Sequence, residues 1–452
     1  MKKIITLLLL IPAVSFGQHE EMIKKIYDEA LTQGHAYDNL RYLCKEIGNR
    51  LSGSPEAAAA VEYTKQLMKS YGFDTVYLQP VMVPHWVRGK KEIVRVVNSK
   101  KHGTFEMNAL ALGNSVGTGP GGVLADVIEV SGIDEVNELG KKVEGKIVFY
   151  NGEMDPTLLN TFSAYGGAVI QRASGASEAA KFGAKAVIIR SVTNRRDDIP
   201  HTGSLRYKAL INQIPAVAIS TNNADRLSQI LKEEKLNAYI ETHCQMLPDV
   251  QSYNVIGELT GSEYPDEIIA VGGHLDSWDV GEGAHDDGSG CMQAVEAVRL
   301  FKALNITPKR TIRAVMWMNE ENGLRGGREY ARLAKEKGEK HVAALESDSG
   351  GFLPLGFSMS GSEEQKDQVK EWRDYFLPFG LYDFEQQGGG ADIGPLSPQG
   401  VLLIGLEPSG QRYFNYHHTN EDVLEAVDQR ELELGAASLS ALVYLLDQAG
   451  ME

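Results

Sequence analysis

The sequence has few cysteines, no excess of positive charge and no long apolar run beyond its first residues. Its 452 residues include only Cys44, Cys244 and Cys291, so at most one disulfide can form and a disulfide framework is excluded. Asp and Glu number 61 against 45 Lys and Arg, and the formal net charge of −16 argues against nucleic acid or an anionic membrane surface as a partner. No later segment reaches the roughly 18 apolar residues of a transmembrane helix, so we expect no stable membrane insertion.

The first residues have the pattern of an export signal. Lys2 and Lys3 precede an apolar stretch, 4–14, which is followed by the small residues Ser15 and Gly17. This order of basic, apolar and small residues predicts a signal peptide over residues 1–17 and a mature protein that is periplasmic or extracellular. A buried N-terminal helix is the alternative.

The rest of the chain has the composition of a globular protein, with 42% hydrophobic and 23% charged residues, and its length suits two or three domains. Residues 116–246 contain strand and helix patterns but no cluster of metal-type side chains. We therefore predict an inserted accessory α/β domain there, with no chemistry of its own, between the two parts of a catalytic domain, 18–115 and 247–452. The segment "SVGTGPGG" at the junction leads into a strand rather than a helix, which favours a linker over a phosphate-binding loop.

In the last part of the chain, strands alternate with helices, as in a parallel sheet covered on both faces. The strand segments are "EIIAVGG", "TIRAVMWMN", "HVAALESD" and "VLLIGLEP". Acids and histidines follow these strands, namely His274, Asp276, Glu320, Glu321, Asp348 and, further on, His418. Ligands of open parallel sheets bind beyond the carboxyl ends of the strands, so these side chains should meet at one edge.

The histidines and acids in this part of the chain fit a pair of zinc ions. Each ion needs a histidine and a terminal carboxylate, and one further carboxylate bridges the two. We assign His274 and Asp348 to one ion, Glu321 and His418 to the other, and the bridge to Asp286. The glycines of "GGHLDSWDVGEGAHDDGSG" would let the loop bring Asp286 back over His274.

Two acids remain for other roles. Glu320 lies beside a ligand without being one and is free to act as the general base. Asp276, two residues after His274, could accept the second N–H of that imidazole.

Several alternatives stay open at this point. Any one of these acids, taken alone, could be a solvated surface group, and Glu320 with Glu321 could cap the following helix. Asp287 could replace Asp286 as the bridge, and His417 could replace His418; His285 is also adjacent to a proposed ligand.

With these residues in hand, the sequence resembles the co-catalytic zinc exopeptidases, a family that includes bacterial leucyl aminopeptidases and glutamate carboxypeptidases. The matching segments are "GNRLSGSPE", "GGHLDSWDVGEGAHDDGSG", "PKRTIRAVMWMNEENGLRGGREY", "LESDSGGFLP", "GGGADIGPL" and "YHHTNEDV". The resemblance implies a three-layer α/β/α domain with a mostly parallel central sheet and an inserted protease-associated-like domain. It also implies two Zn²⁺ per chain on the ligands assigned above, short peptide substrates and a homodimer.

The same resemblance suggests residues that contact the substrate. "GGGADIGPL" is similar to the substrate-pocket loop of the family, so Asp392 would contact the substrate amine or orient a ligand. Arg412 or Tyr416, shortly before the last ligand, would stabilise an oxyanion or a substrate carboxylate. A structural role is the alternative for all three.

The predicted function is an exopeptidase that hydrolyses dipeptides or short peptides with a metal-activated water and Glu320 as base. An aminopeptidase that trims longer peptides is a second possibility. A binding protein that keeps zinc for structure, and a cyclase or deacylase with one zinc, are alternatives of other classes.

Overall fold

The computed structural model describes residues 10–451, so the first nine residues of the predicted signal peptide, 1–17, lie outside the described residues. The helices are α1 (Leu10–Gln33), α2 (Ala36–Tyr42), α3 (Pro55–Ser70), α4 (Ile133–Leu139), α5 (Thr161–Ala180), α6 (Thr221–Leu231), α7 (Ser289–Ala303), α8 (Arg325–Lys337), α9 (Glu363–Lys370), α10 (Arg373–Phe376), α11 (Tyr413–Tyr416) and α12 (Gln429–Ala449). The strands are β1 (Thr75–Val87), β2 (Ile93–Ser99), β3 (Gly103–Glu106), β4 (Ala109–Ala111), β5 (Val123–Val130), β6 (Ile147–Tyr150), β7 (Ala186–Arg190), β8 (Ala216–Ile219), β9 (Asn237–Glu241), β10 (Gln245–Leu259), β11 (Tyr264–His274), β12 (Arg310–Trp317), β13 (Lys340–Glu346), β14 (Pro354–Ser360) and β15 (Leu402–Pro408). Across this described part of the chain, no helix is both long and apolar enough to cross a bilayer.

The central sheet has, within residues 10–451, seven strands in the order β1-β10-β12-β11-β13-β15-β14. Its four middle strands, β12, β11, β13 and β15, are parallel, and the outer strands are antiparallel to their neighbours. The carboxyl ends of the middle strands therefore lie along one edge, where His274 pairs in register with Trp317. The predicted mostly parallel sheet is confirmed.

Helices cover both faces of this sheet. Successive side chains of its middle strands point alternately into two hydrophobic cores, one on each face. Ile269 and Val271 pack with α7 and α12 on one face. Ala270 packs on the other face with Tyr330 and Ala334 of α8. Two cores, one on each side of a sheet, make the predicted three-layer α/β/α domain.

Residues 93–241, here called the inserted unit, contain a second sheet. In the part of the chain that the structure describes, this sheet has the strand order β3-β2-β9-β5-β6-β7-β8-β4, with one hydrophobic core on each face. Strands β2, β3 and β4 precede residue 116, so the sheet begins earlier than the predicted domain, 116–246. The chain enters the unit from β1 and leaves it into β10, and these two strands pair with each other in the central sheet.

Candidate metal centre

The strand ends bring the predicted ligands to one edge of the central sheet. His274 is the last residue of β11, and Glu320 and Glu321 follow β12 closely. Asp348 follows β13 in the same way. His418 arrives from further along the chain, after β15 and the single turn of α11.

Asp286 lies on the loop between β11 and α7, where tight packing requires glycine. At Gly283 the backbone φ is +60°, and a Cβ would lie 2.3 Å from Cβ of Ser277. A Cβ on Gly290 would lie 1.8 Å from the carbonyl oxygen of Ser347. These glycines let the loop fold back against the strand ends, as predicted.

The first group of donor atoms surrounds the imidazole of His274. Its Nε2 lies 3.1 Å from Oδ1 of Asp286 and 3.2 Å from Oδ1 of Asp348. Burial acts to lower the pKa of His274, but the charge of Asp348 and the hydrogen bonds to Asp286 and Asp348 raise it well above its ordinary value. The nitrogen and the two carboxylates thus converge on one point.

The second group surrounds His418. Its Nε2 lies 3.2 Å from Oδ2 of Asp286 and 3.2 Å from Oε2 of Glu321. Asp286 therefore directs one carboxylate oxygen to each histidine. Burial acts to raise the pKa of Asp286, but the hydrogen bonds with His274 and His418 hold it well below its usual range.

Asp276 supports this cluster differently from the prediction. Its backbone carbonyl oxygen, not its carboxylate, lies 2.9 Å from Nδ1 of His274, while the carboxylate Oδ1 is 3.8 Å from that nitrogen. The carboxylate instead accepts hydrogen bonds from the backbone N–H groups of Asn319, at 2.6 Å, and Glu320, at 3.0 Å. Asp276 thus fixes the turn that presents Glu320 and Glu321.

The alternative ligands occupy different surroundings. Asp287 accepts hydrogen bonds from the backbone N–H groups of His274, at 3.0 Å, and Gly290, at 2.9 Å. The ring of His285 stacks on Phe352, and both of its nitrogens bond to backbone groups. His417 stacks on His418, and its Nε2 lies 3.9 Å from Asp286.

Two of these three side chains, Asp287 and His417, still lie within a possible metal-binding group. His285 is engaged by the protein backbone, whereas Asp287 can join a metal-binding group with His274 and Asp348, and His417 can join one with Asp286 and His418. Nε2 of His418 lies 3.2 Å from Asp286, against 3.9 Å for Nε2 of His417, and this shorter distance favours His418 as the ligand.

Glu320 lines the cavity beside the cluster, and within residues 10–451 its carboxylate forms no ion pair or hydrogen bond. Burial, followed by the negative charges of Asp348 and Asp286, raises its pKa to about 8, against the opposing effect of His274. A carboxylate held at such a pKa is suited to exchange a proton near neutral pH. A cation bound at the neighbouring ligands would lower this pKa and favour the ionised base.

The charge of the cluster fits a divalent metal. Asp286 and Glu321 are each only 5% exposed, and among the described residues neither they nor Glu320 and Asp348 form an ion pair with Lys or Arg. Oε1 of Glu321 is buried and has no hydrogen-bond partner in the described part of the chain. Because buried charges must be paired or must coordinate metals, the residues present suit cations bound between them.

The inserted unit contributes side chains that the sequence did not point to. Phe162, Tyr165 and Arg172, from one face of α5, line a cavity of about 710 Å³ together with the metal-type residues. Nη1 of Arg172 lies 3.4 Å from Nδ1 of His418. The backbone N–H of Thr202 donates a hydrogen bond of 3.0 Å to the carbonyl oxygen of His418. The unit predicted to have no chemistry therefore forms one wall of the site.

The three predicted substrate residues lie away from the lining of this cavity. Asp392 is fully buried, and only its neighbour Ala391 reaches the cavity. Arg412 is exposed, lies over the ring of Phe352 and forms an ion pair of 3.5 Å with Glu431. The ring of Tyr416 lies 5.3 Å from that of His285.

The chain is similar to known proteins over most of its length. A family model described as peptidase family M28 matches residues 254–443. Carboxypeptidase Q from Bos taurus is 36% identical over 422 residues, which cover 93% of this chain and 86% of that protein. An aminopeptidase from Pseudomonas aeruginosa is 27% identical over 367 residues, or 79% of this chain and 59% of that one.

Solved structures are similar over nearly the whole chain. A peptidase M28 precursor from Shewanella amazonensis has a TM-score of 0.91 at 31% identity and covers 96% of this chain and 98% of its own. A zinc aminopeptidase from Bacillus subtilis has a TM-score of 0.67 at 21% identity, with 93% and 97% covered, and shows the shared fold.

Proposed function

Because the chain belongs to peptidase family M28, we propose that its cluster of strand-end ligands binds two zinc ions and hydrolyses dipeptides or short peptides. The predicted resemblance to zinc exopeptidases is confirmed, and the chain is a zinc metallopeptidase with relatives named carboxypeptidase Q and aminopeptidase. The number of ions, the substrate length and the role of each residue belong to the proposal.

The residues divide between two metal positions. His274 and Asp348 would hold one zinc ion, His418 and Glu321 the other, and Asp286 would bridge them. When bound, the ions supply a Lewis acid that polarises the peptide carbonyl and acidifies the attacking water. The observation that supports this division is the placement of the two Asp286 oxygens, 3.1 Å from one histidine and 3.2 Å from the other.

Glu320 would move the proton. Its carboxylate lies in the cavity and has no hydrogen-bond or ion-pair partner among the described residues, so it can accept the proton of the attacking water and return it to the nitrogen of the leaving amine. Asp276 would keep Glu320 in place through the backbone hydrogen bond at 3.0 Å. We therefore propose Glu320 as the general base and Asp276 as a positioning residue.

We also propose that the protein is exported to the periplasm or the extracellular space, on the strength of its basic and apolar first residues. The inserted unit is proposed to be protease-associated-like, and the homodimer implied by the resemblance stays a prediction.

The test combines metal analysis with peptide hydrolysis. Purified protein should contain two zinc ions per chain, and glycyl-leucine should be cleaved, with activity lost on chelation and restored by zinc. N-acetylated and C-terminally amidated peptides should separate the carboxypeptidase or dipeptidase mode from the aminopeptidase mode. Full activity with one zinc ion or none would contradict the two-ion site, and no turnover of any peptide by protein with both ions would contradict the proposed activity.

A further inference from the structure

The proposed catalytic cavity adjoins a groove beside helix α8. Arg325 and Arg328 line both the cavity that contains Glu320 and a second cavity of about 410 Å³. This second cavity, here called the side groove, is lined by residues of β1, β10 and α8, namely Pro80, Val81, Met82, Gln251, Arg325, Arg328, Glu329 and Arg332. Arg325 and Arg328 therefore lie where the side groove meets the catalytic cavity.

Three arginines share one face of α8. Arg325, Arg328 and Arg332 are three and four residues apart, a spacing that places side chains of a helix next to one another. The outer two are neutralised by acids. Arg325 forms an ion pair of 2.5 Å with Asp249, and Arg332 forms ion pairs with two glutamates of its own helix.

Arg328, between them, has no acidic partner. Its Nη1 donates a hydrogen bond of 3.1 Å to the carbonyl oxygen of Gly323, and no Asp or Glu among residues 10–451 forms an ion pair with it. A guanidinium has five N–H donors, so most of those of Arg328 are available to a ligand.

The position of Arg328 in the helix is unfavourable for a cation. Arg325 and Arg328 both belong to the first four residues of α8, which contain no acid, and the helix dipole disfavours positive charge there. Like charges three residues apart on a helix also repel each other. A residue that violates two local preferences, with no acid beside it to offset them, is typical of a functional position.

The charge of Arg328 also opposes that of the chain. The formal net charge is −16, and yet an unneutralised arginine lies at the side of the cavity. Local positive charge at a cleft attracts anionic ligands, and guanidinium binds a carboxylate through parallel N–H···O hydrogen bonds. The group that fits this position is therefore a carboxylate that reaches the cavity with the substrate.

We propose that Arg328 binds an acidic side chain of the substrate, so that the enzyme favours peptides with aspartate or glutamate over the same peptides with asparagine or glutamine. This inference rests on the proposed function, because it takes the cavity at the metal ligands as the place of peptide hydrolysis. Arg328 is thus a specificity-determining residue, and Arg325, held by Asp249, borders the same position.

The experiment uses two pairs of dipeptides with free termini. Aspartyl-leucine is compared with asparaginyl-leucine, and leucyl-glutamate with leucyl-glutamine, so the terminal carboxylate is constant and only the side-chain charge changes. The proteins are the wild type, Arg328→Gln, Arg328→Glu and the control Arg226→Gln. Arg226 is exposed on the inserted unit, lies over the ring of Phe105 and lines neither the cavity nor the side groove.

We expect the wild type to have a kcat/KM at least about fivefold higher for the acidic member of one pair, a modest value because the arginine is exposed. Arg328→Gln should reduce this ratio to less than about twofold by slowing only the acidic peptide, and Arg328→Glu should reverse the preference. The control should keep the wild-type ratio, and salt at about 0.5 M should reduce it. Zinc content should not change.

The stability of Arg328→Gln is an internal check. Because the substitution removes an unfavourable charge from the first turn of α8, its denaturant midpoint should equal or exceed that of the wild type. A lower midpoint would show that the protein itself uses the charge of Arg328, and would contradict the argument for a ligand.

Three kinetic results would overturn the proposal: wild-type ratios within about twofold for both pairs, an acidic preference that persists in Arg328→Gln, or equal losses of that variant on the acidic and neutral members. The last result would indicate that Arg328 binds a group common to all peptides. If the wild type with bound zinc hydrolyses none of the four dipeptides and not glycyl-leucine, the proposed function is refuted instead.

Discussion

Glu320→Gln and Glu321→Gln make the same chemical change at adjacent positions, yet the structure predicts different defects for them. The Glu320 carboxylate lies in the cavity and makes no ion pair among the described residues, whereas Oε2 of Glu321 lies 3.2 Å from Nε2 of His418. The first substitution should therefore remove a proton carrier and the second a metal ligand.

The expected magnitudes follow from these roles. Loss of general acid–base help lowers rates by roughly 10²- to 10⁴-fold, or about 3–5 kcal/mol of transition-state stabilisation. Glu320→Gln should show that decrease in kcat and keep its zinc. Glu321→Gln takes one negative charge from the second position, so zinc affinity there should fall by at least the roughly 10- to 100-fold that loss of an outer-shell partner costs.

The assay measures both properties on the same preparations. Each protein is equilibrated in zinc buffers of defined free concentration, its bound zinc is determined by elemental analysis, and kcat for a dipeptide is measured at saturating zinc. A Glu320→Gln enzyme with kcat within tenfold of the wild type would refute the role of Glu320 as base. A Glu321→Gln protein that binds both ions with unchanged affinity would refute the assignment of Glu321 as a ligand.

Three further predictions concern stability. Gly290→Ala should lower the free energy of unfolding by roughly 1–3 kcal/mol, because the new Cβ would lie 1.8 Å from the Ser347 carbonyl oxygen; an unchanged denaturant midpoint would contradict this packing. Burial and the charge of Glu296 raise the pKa of Glu433 to about 8, so the folded state binds its proton more tightly than the unfolded state and stability falls as pH rises from about 4.5 to 8. Glu433→Gln should therefore stabilise the protein by roughly 1–3 kcal/mol more at pH 8 than at pH 5, and equal effects in denaturant titrations at both pH values would contradict the prediction. Removal of zinc should lower Tm, and more at pH 8 than at pH 5.5, because the buried carboxylates then repel one another; a chelator that leaves Tm unchanged in scanning calorimetry would argue against a bound metal.

The catalytic half of the fold could be predicted because its physical signals are local. Continuous apolar runs identify strands buried on both faces, and the polar residue that ends each run, such as His274 or Asp348, must then lie at the sheet edge. The path of a loop, in contrast, depends on contacts with residues that are distant in the sequence. The sequence therefore predicted Asp286 near His274 but not that the Asp276 carboxylate would bind backbone N–H groups rather than the imidazole.

No comparable sequence pattern predicted that Arg172 would line the cavity. Its helix, α5, contains Gly166, Gly167 and Gly175, and each glycine inside a helix costs about 1 kcal/mol relative to alanine. The segment therefore looks unlike a helix until its tertiary packing is known. Gly175 is required by that packing, because a Cβ there would lie 2.9 Å from the ring of Tyr150.

The two proposed metal positions differ in what holds their histidines. His274 belongs to a strand of the central sheet, so its backbone is fixed by hydrogen bonds to β12. His418 has a left-handed backbone with φ of +63°, a conformation that is unfavourable for a residue other than glycine and persists only where its surroundings enforce it. The inserted unit contributes to those surroundings: the N–H of Thr202 donates a hydrogen bond of 3.0 Å to the carbonyl oxygen of His418, and the hydroxyl of Thr193 donates one of 2.6 Å to the carbonyl oxygen of Phe414. The inserted unit therefore supports the second metal position in addition to forming a wall of the cavity. The central sheet alone would leave the catalytic edge incomplete.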